Sequence, residues 1–195
     1  MKVKIHVILV ALLLAKTCPA QQTTSTPVGR GQHSACFDRT TGTMLVFGGA
    51  PHGSSAVKPT VNNSLWGWSE KGWKILSQGG PSQREDAKMV FHDVNKAAYL
   101  YGGRTYDTLG KPVVMDDFWQ WDGSSWKLLS EHSAHGKRLH SNMAYDRSRN
   151  TIVMFGGAMF EGGFTNDVWE WDGNEWKKIE FSNGPAPRLA HTQIY

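Results

Sequence analysis

Short apolar runs, each closed by a turn, organise this chain. From residue 30 onward hydrophobic and polar positions alternate over short stretches, and glycine, asparagine and aspartate interrupt the alternation. That is the period of half-buried β-strands, and no stretch in this region keeps the 3.6-residue spacing of a long helix. Three runs, Met44-Leu45-Val46-Phe47, Ala98-Tyr99-Leu100-Tyr101 and Ile152-Val153-Met154-Phe155, each end on a glycine pair. The pairs Gly48-Gly49, Gly102-Gly103 and Gly156-Gly157 stand 54 residues apart. In the third unit the pattern predicts strands over Ser141 to Tyr145, Thr151 to Phe155, Asp167 to Trp171 and Glu175 to Ile179. Asp146 to Asn150 turns the first two strands, a longer loop joins the second to the third, and Asp172-Gly173 makes a tight hairpin turn with positive φ.

Two further markers keep the same spacing. An arginine stands 18 residues before each glycine pair, at Arg30, Arg84 and Arg138. All nine tryptophans fall into the pattern W-x-W-x4-W: Trp66/Trp68/Trp73, Trp119/Trp121/Trp126 and Trp169/Trp171/Trp176. The markers define repeats at about 30–76, 84–129 and 138–179, and residues 187–195 reopen the pattern with Arg188 and His191 in the places of Arg30 and His33. A four-stranded antiparallel unit of about 50 residues with this signature is a propeller blade.

On these residues the chain resembles the Kelch-repeat family, from Arg30/His33/Gly48/Gly49/Trp66/Trp73 through Arg84/Gly102/Gly103/Trp119/Trp126 to Arg138/Gly156/Gly157/Trp169/Trp176. The resemblance covers residues 30–195 and is similar in type to the central domain of galactose oxidase. It implies an all-β fold of three four-stranded antiparallel blades plus the first strand of a fourth. Propellers close with about four to eight blades. The chain is therefore expected to be part of a larger propeller, or to complete a ring with a second copy of itself as a homo-oligomer.

Physical chemistry assigns the repeated residues to the core. Burying one tryptophan removes roughly 150 to 250 Å² from water, about 4 to 6 kcal/mol gross at 25 cal/mol/Å². Trp119 and Trp121 lie two apart on a strand, so they share a sheet face that a neighbouring blade can cover. The glycine pairs mark positive φ or close backbone approach; no Lys-Ser or Lys-Thr follows them, as a phosphate loop would require.

Composition changes the picture only at the start of the chain. Residues 1–20 carry Lys2 and Lys4, an apolar run from Val7 to Ala15, and Cys18-Pro19-Ala20, the three zones of a secretory signal. A polar segment, residues 21–29, follows. Loss of the signal removes three lysines, taking the 21 basic residues to 18 against 17 acidic ones. The formal charge of +4 thus falls to +1 and points to no nucleic-acid partner. The expected location is secreted or periplasmic, with no stable membrane span after cleavage. Cys36 then stands without a disulfide partner, and its apolar neighbours make it a small core residue and not a nucleophile.

Function is expected on the varied loops between strands two and three and between blades. The candidate partner-binding residues are His52, Arg104, Tyr106, Asp107, Phe160, Glu161, His132 and His135. Catalytic residues, metal ligands and cofactors are not assigned. His132, His135 and His140 offer three donors, but loop histidines are mostly solvated. Asp116-Asp117 resembles a carboxylate pair; Asn62-Asn63 and Asn166-Asp167 occupy the corresponding positions, which favours turns over acid-base chemistry. The expectation is a binding module for a protein or glycan. Its alternative is a fragment of a carbohydrate-active enzyme of the galactose oxidase-like or sialic-acid epimerase-like kind.

Overall fold

The computed structural model describes residues 26–51 and 62–194. Strands β1 (Arg30–Gly31), β2 (Ser34–Asp38), β3 (Thr43–Phe47), β4 (Ala50–Pro51), β5 (Leu65–Ser69) and β6 (Gly72–Ser77) come first. Next are β7 (Lys88–His92), β8 (Ala97–Tyr106), β9 (Pro112–Trp121) and β10 (Trp126–Ser130). The last are β11 (Arg138–Leu139), β12 (Asn142–Asp146), β13 (Thr151–Met159), β14 (Phe164–Trp171) and β15 (Trp176–Ile179). They form antiparallel meanders β2-β3-β5-β6, β7-β8-β9-β10 and β12-β13-β14-β15, with β11 added to the third sheet and β1 paired with β4. This is an all-β architecture of blade type. Among the described residues no helix is long and apolar enough to cross a membrane.

The sheets pack face to face, and the first strands β2, β7 and β12 lie side by side. Period-two alternation divides the middle sheet between two cores. Met89, Phe91, Ala98, Leu100 and Trp121 meet Leu45, Phe47 and Leu65 of the first sheet. Val90, Tyr99, Tyr101 and Phe118 face the other way, onto Met143, Tyr145, Ile152, Met154 and Trp171. Because both faces are covered, β7 and β8 read as almost continuous apolar runs. The tryptophans sit in these seams, with Trp126 edge-on to Phe47 at 5.5 Å and Trp171 edge-on to Phe118 at 4.9 Å. Trp68 departs from the expected core role and is 46% exposed. Its counterparts Trp121 and Trp171 are covered by a preceding sheet, which the first sheet lacks among the described residues.

The predicted long loops between strands two and three are largely strand in the second and third units, while most of the first lies outside the described residues. β8 and β9 continue past the glycine pair as a paired arm, Arg104 opposite Val114 and Tyr106 opposite Pro112. β13 and β14 do the same through Ala158 and Phe164. The register shifts between Tyr101 and Gly103, and between Phe155 and Gly157, so these two glycine pairs make bulges and do not end their strands, whereas β3 ends at Phe47 ahead of the first pair. The tight turns also differ from expectation: Trp121 pairs with Trp126, leaving a four-residue turn from Asp122 to Ser125. There Asp122 Oδ1 accepts from the Ser124 and Ser125 amides at 2.8 Å each, which holds this carboxyl down at about 2.

Gly103 has φ +96, and a Cβ built there would lie 2.7 Å from Glu85 O. Gly123 has nearly the same φ, +97, with nothing within 4 Å of that position. Gly123→Ala should therefore cost only the conformational penalty, about 1 to 2 kcal/mol. Gly103→Ala should cost roughly 2 kcal/mol more through the backbone clash. Urea unfolding of the two variants checks this; equal losses would show that close approach does not select the glycine.

Candidate functional site

Two buried arginines set the geometry of the loop face. Arg84 donates to both carboxylate oxygens of Asp117, at 2.6 and 2.8 Å, and to Gly102 O at 2.9 Å. Arg138 repeats this with Asp167, at 2.7 and 3.0 Å, and with Gly156 O at 3.1 Å. The indole nitrogens of Trp119 and Trp169 donate to the same carboxylates at 2.7 Å. Burial opposes ionisation of Asp167, but its hydrogen bonds from Arg138 and Trp169 outweigh it and hold the carboxyl below its usual range. Each clasp fixes where the arm leaves its sheet.

The carboxylate equivalence expected from sequence is displaced by one residue. Phe47, Tyr101 and Phe155 face Leu65, Phe118 and Val168, so Asn63-Ser64 aligns with Asp116-Asp117 and Asn166-Asp167. The two members of the pair also do different work. Asp117 belongs to the clasp, whereas the preceding position tethers the segment that follows the last strand of its sheet. Asn63 donates to Gln78 O at 3.3 Å, Asn166 to Pro185 O at 3.1 Å, and Asp116 meets His132 Nδ1 at 3.1 Å.

Arg104 and Tyr106 come together on the buried Glu85, whose Oε1 accepts from Arg104 Nε at 2.8 Å and from the Tyr106 hydroxyl at 2.7 Å. With its amide oriented to suit both neighbours, Gln32 donates to Glu85 Oε2 at 2.9 Å and accepts from Arg104 Nη2 at 3.2 Å. Desolvation opposes the Arg104 charge, and the bond to Glu85 more than restores it, so its pKa is raised. Partial burial and the same carboxylate raise Tyr106. These two polar ends brace the arm against the segment before β7. Asp107 caps the turn of the arm by accepting from the Leu109 and Lys111 amides, both at 2.8 Å.

The other candidates separate. Asp116 and Lys137 line two abutting cavities: one of about 270 Å³ against the second sheet, which His132 also lines, and one of about 410 Å³ towards the arm of the third sheet, which Phe160 and Glu161 line. Val113, Leu128, Met115 and Trp119 add an apolar floor to the first, and Met159 lines the second. Phe160 is 56% exposed. Lys137 carries no motif in the sequence, and the sequence assigns Asp116 to a turn, so neither is among the expected site residues.

His135 is corrected outright: only 2% exposed, it packs against Tyr101, Trp169 and Trp176 with ring centroids at 4.4, 5.6 and 4.7 Å. His52 lies outside the described residues. The three histidines diverge, since His132 faces Asp116, His135 is enclosed, and His140 Nδ1 lies 2.9 Å from Asp86. Among the described residues no group of three or more His, Cys, Asp or Glu is placed to hold a metal ion. Cys36 is partly buried in β2, and desolvation, reinforced by Asp38, pushes its thiol far above the reactive range.

The fold is represented among solved structures, of which 134 chains are similar. One is the structure of YjhT, which superposes with a TM-score of 0.60 at 14% identity, over 80% of this chain and 47% of that one. At that identity the likeness is one of fold, and this chain spans about half the length of YjhT. No protein-family model matches the chain, and no curated protein matches its sequence. The comparison agrees with the all-β, propeller-like arrangement of sheets.

Burial lowers His135 from 6.5 to about 3, with the Arg138 charge adding to the effect. The unfolded chain thus takes up a proton that the folded chain refuses. This stability is fully present above about pH 6.5 and is lost as pH falls toward 3, at a cost of roughly 2 kcal/mol between pH 7 and 5. His135→Phe should flatten that part of the stability profile, measured by urea titrations across the interval. An unchanged slope would place the proton uptake elsewhere.

Proposed function

We propose that this chain is the blade region of a secreted Kelch-type propeller acting as a binding module. Its loop face takes a protein or glycan partner. The observation that carries the reading is the pair of abutting cavities where His132, Phe160 and Glu161 meet Asp116 and Lys137. These side chains come from an inter-sheet connection and from two arms, the variable parts of a repeated scaffold. The opposite face is differently employed: Asp38, Asp122, Asp146 and Asp172 all accept from the amides of their own turns. Secretion rests on the leader-like first twenty residues, and the Kelch assignment on the arginine, glycine and tryptophan markers.

A carbohydrate-active enzyme is the second reading, favoured by one contact. Asp116 lies at His132 Nδ1 and would leave Nε2 directed to a ligand as a proton acceptor. Turnover of a glycan, lost in His132→Gln, would favour it over simple binding.

Panels of oligosaccharides and peptides should yield a ligand whose affinity falls about ten-fold or more in Phe160→Ala, in keeping with an exposed aromatic anchor. Thermal melting should be unchanged in that variant, and Lys71→Ala on the tight-turn face should bind normally. Loss of binding only on substitution of tight-turn residues would reverse the assignment of faces.

A further inference from the structure

The paired cavities have a charge and a lining that choose between partners. Asp116, Glu131 and Glu161 contribute three carboxylates, and Lys137 one ammonium. Asp117 also reaches the first cavity, but both its oxygens are held by Arg84. Among the described residues Glu131, Glu161 and Lys137 form no ion pair. The groove is therefore locally acidic on a chain whose formal charge falls from +4 to only +1 without its first twenty residues. Its floor is aliphatic more than aromatic, with Val113 at 42% and Leu128 at 38% exposure.

We infer that this groove docks an extended, cationic peptide segment of a partner protein, with basic side chains against Glu131 and Glu161 and apolar groups on Val113, Leu128 and Phe160. The inference rests on the binding-module reading and narrows it to one partner class. An anionic ligand would meet unpaired carboxylates in a partly enclosed site, and like charges held together there are repelled. A lysine or arginine is suited to both features, because its methylene stem covers apolar surface while the head reaches a carboxylate. In an extended peptide, side chains on one side recur about every 7 Å. Asp116 and Lys137 line both cavities, so the two adjoin and one extended segment can run from Glu131 to Glu161.

The test uses the purified chain and three fluorescent probes: a peptide of alternating arginine and leucine, the same peptide with glutamate for arginine, and a neutral oligosaccharide. The arginine peptide should bind and weaken as salt is raised. Glu131→Gln with Glu161→Gln should weaken it about three- to ten-fold, the scale of two exposed charge contacts. Lys137→Ala should tighten it, and Glu70→Gln on the tight-turn face should leave it unchanged. Equal binding of the glutamate peptide, or indifference to the double substitution, overturns the inference. Oligosaccharide binding that is lost in Phe160→Ala, without arginine-peptide binding, overturns it too while the binding-module reading stands. If no probe shifts the NMR signals of His132 or Phe160, both fall.

Discussion

A buried guanidinium holding a carboxylate with both arms is the constraint on which this architecture depends. Arg84 and Arg138 are each almost wholly enclosed, at 1% and 2% exposure. Each ties four pieces of chain: its own segment ahead of the first strand, the glycine bulge, the aspartate where the arm returns, and the tryptophan two residues on. Charge-assisted bidentate bonds are directional, so the clasp fixes geometry as well as adding energy. Its main force is asymmetric. Removing one partner leaves an uncompensated buried charge, which costs about 3 to 5 kcal/mol.

From the clasp the open face follows. The glycine bulge lets β8 and β13 continue past the sheet, so two arms stand above the seams instead of irregular loops. Glu85 braces the first arm through Arg104 and Tyr106. The residue before each clasp aspartate, or before Ser64 in the first sheet, secures the segment that follows the last strand of its sheet. Between the second and third sheets that tether is Asp116 to His132, and the groove opens beside it. The proposed binding chemistry is thus assigned to side chains that the fold leaves uncommitted, on supports that the fold makes rigid.

Strand positions are legible because turn residues and period-two alternation agree; the four strands expected for the third sheet coincide with β12 through β15 within one residue, except where β13 and β14 run four and three residues further into the arm. The arms are not legible, since glycine pairs, Asp107 and Pro112 all read as breakers unless the bulge is known. His135 misleads for a related reason. Its polar neighbours mark a loop, and only the aromatic side chains of the two flanking sheets enclose it. The clasp itself has a sequence trace that is easy to pass over: aspartate stands two residues before the first tryptophan in the second and third units, and Ser64 in the first.

That exception provides the sharpest test. Arg30 already donates to Gly48 O at 3.0 Å, as Arg84 and Arg138 do to their glycines, but Ser64 occupies the place of the carboxylate. The buried Trp66 indole nitrogen has no hydrogen-bond partner among the described residues. Ser64→Asp would supply a partner to both groups. If the clasp governs the fold, equilibrium unfolding should show this variant more stable by about 1 to 2 kcal/mol at neutral pH, with the gain abolished in Arg30→Met. A stability loss, or a gain that survives Arg30→Met, would contradict the account.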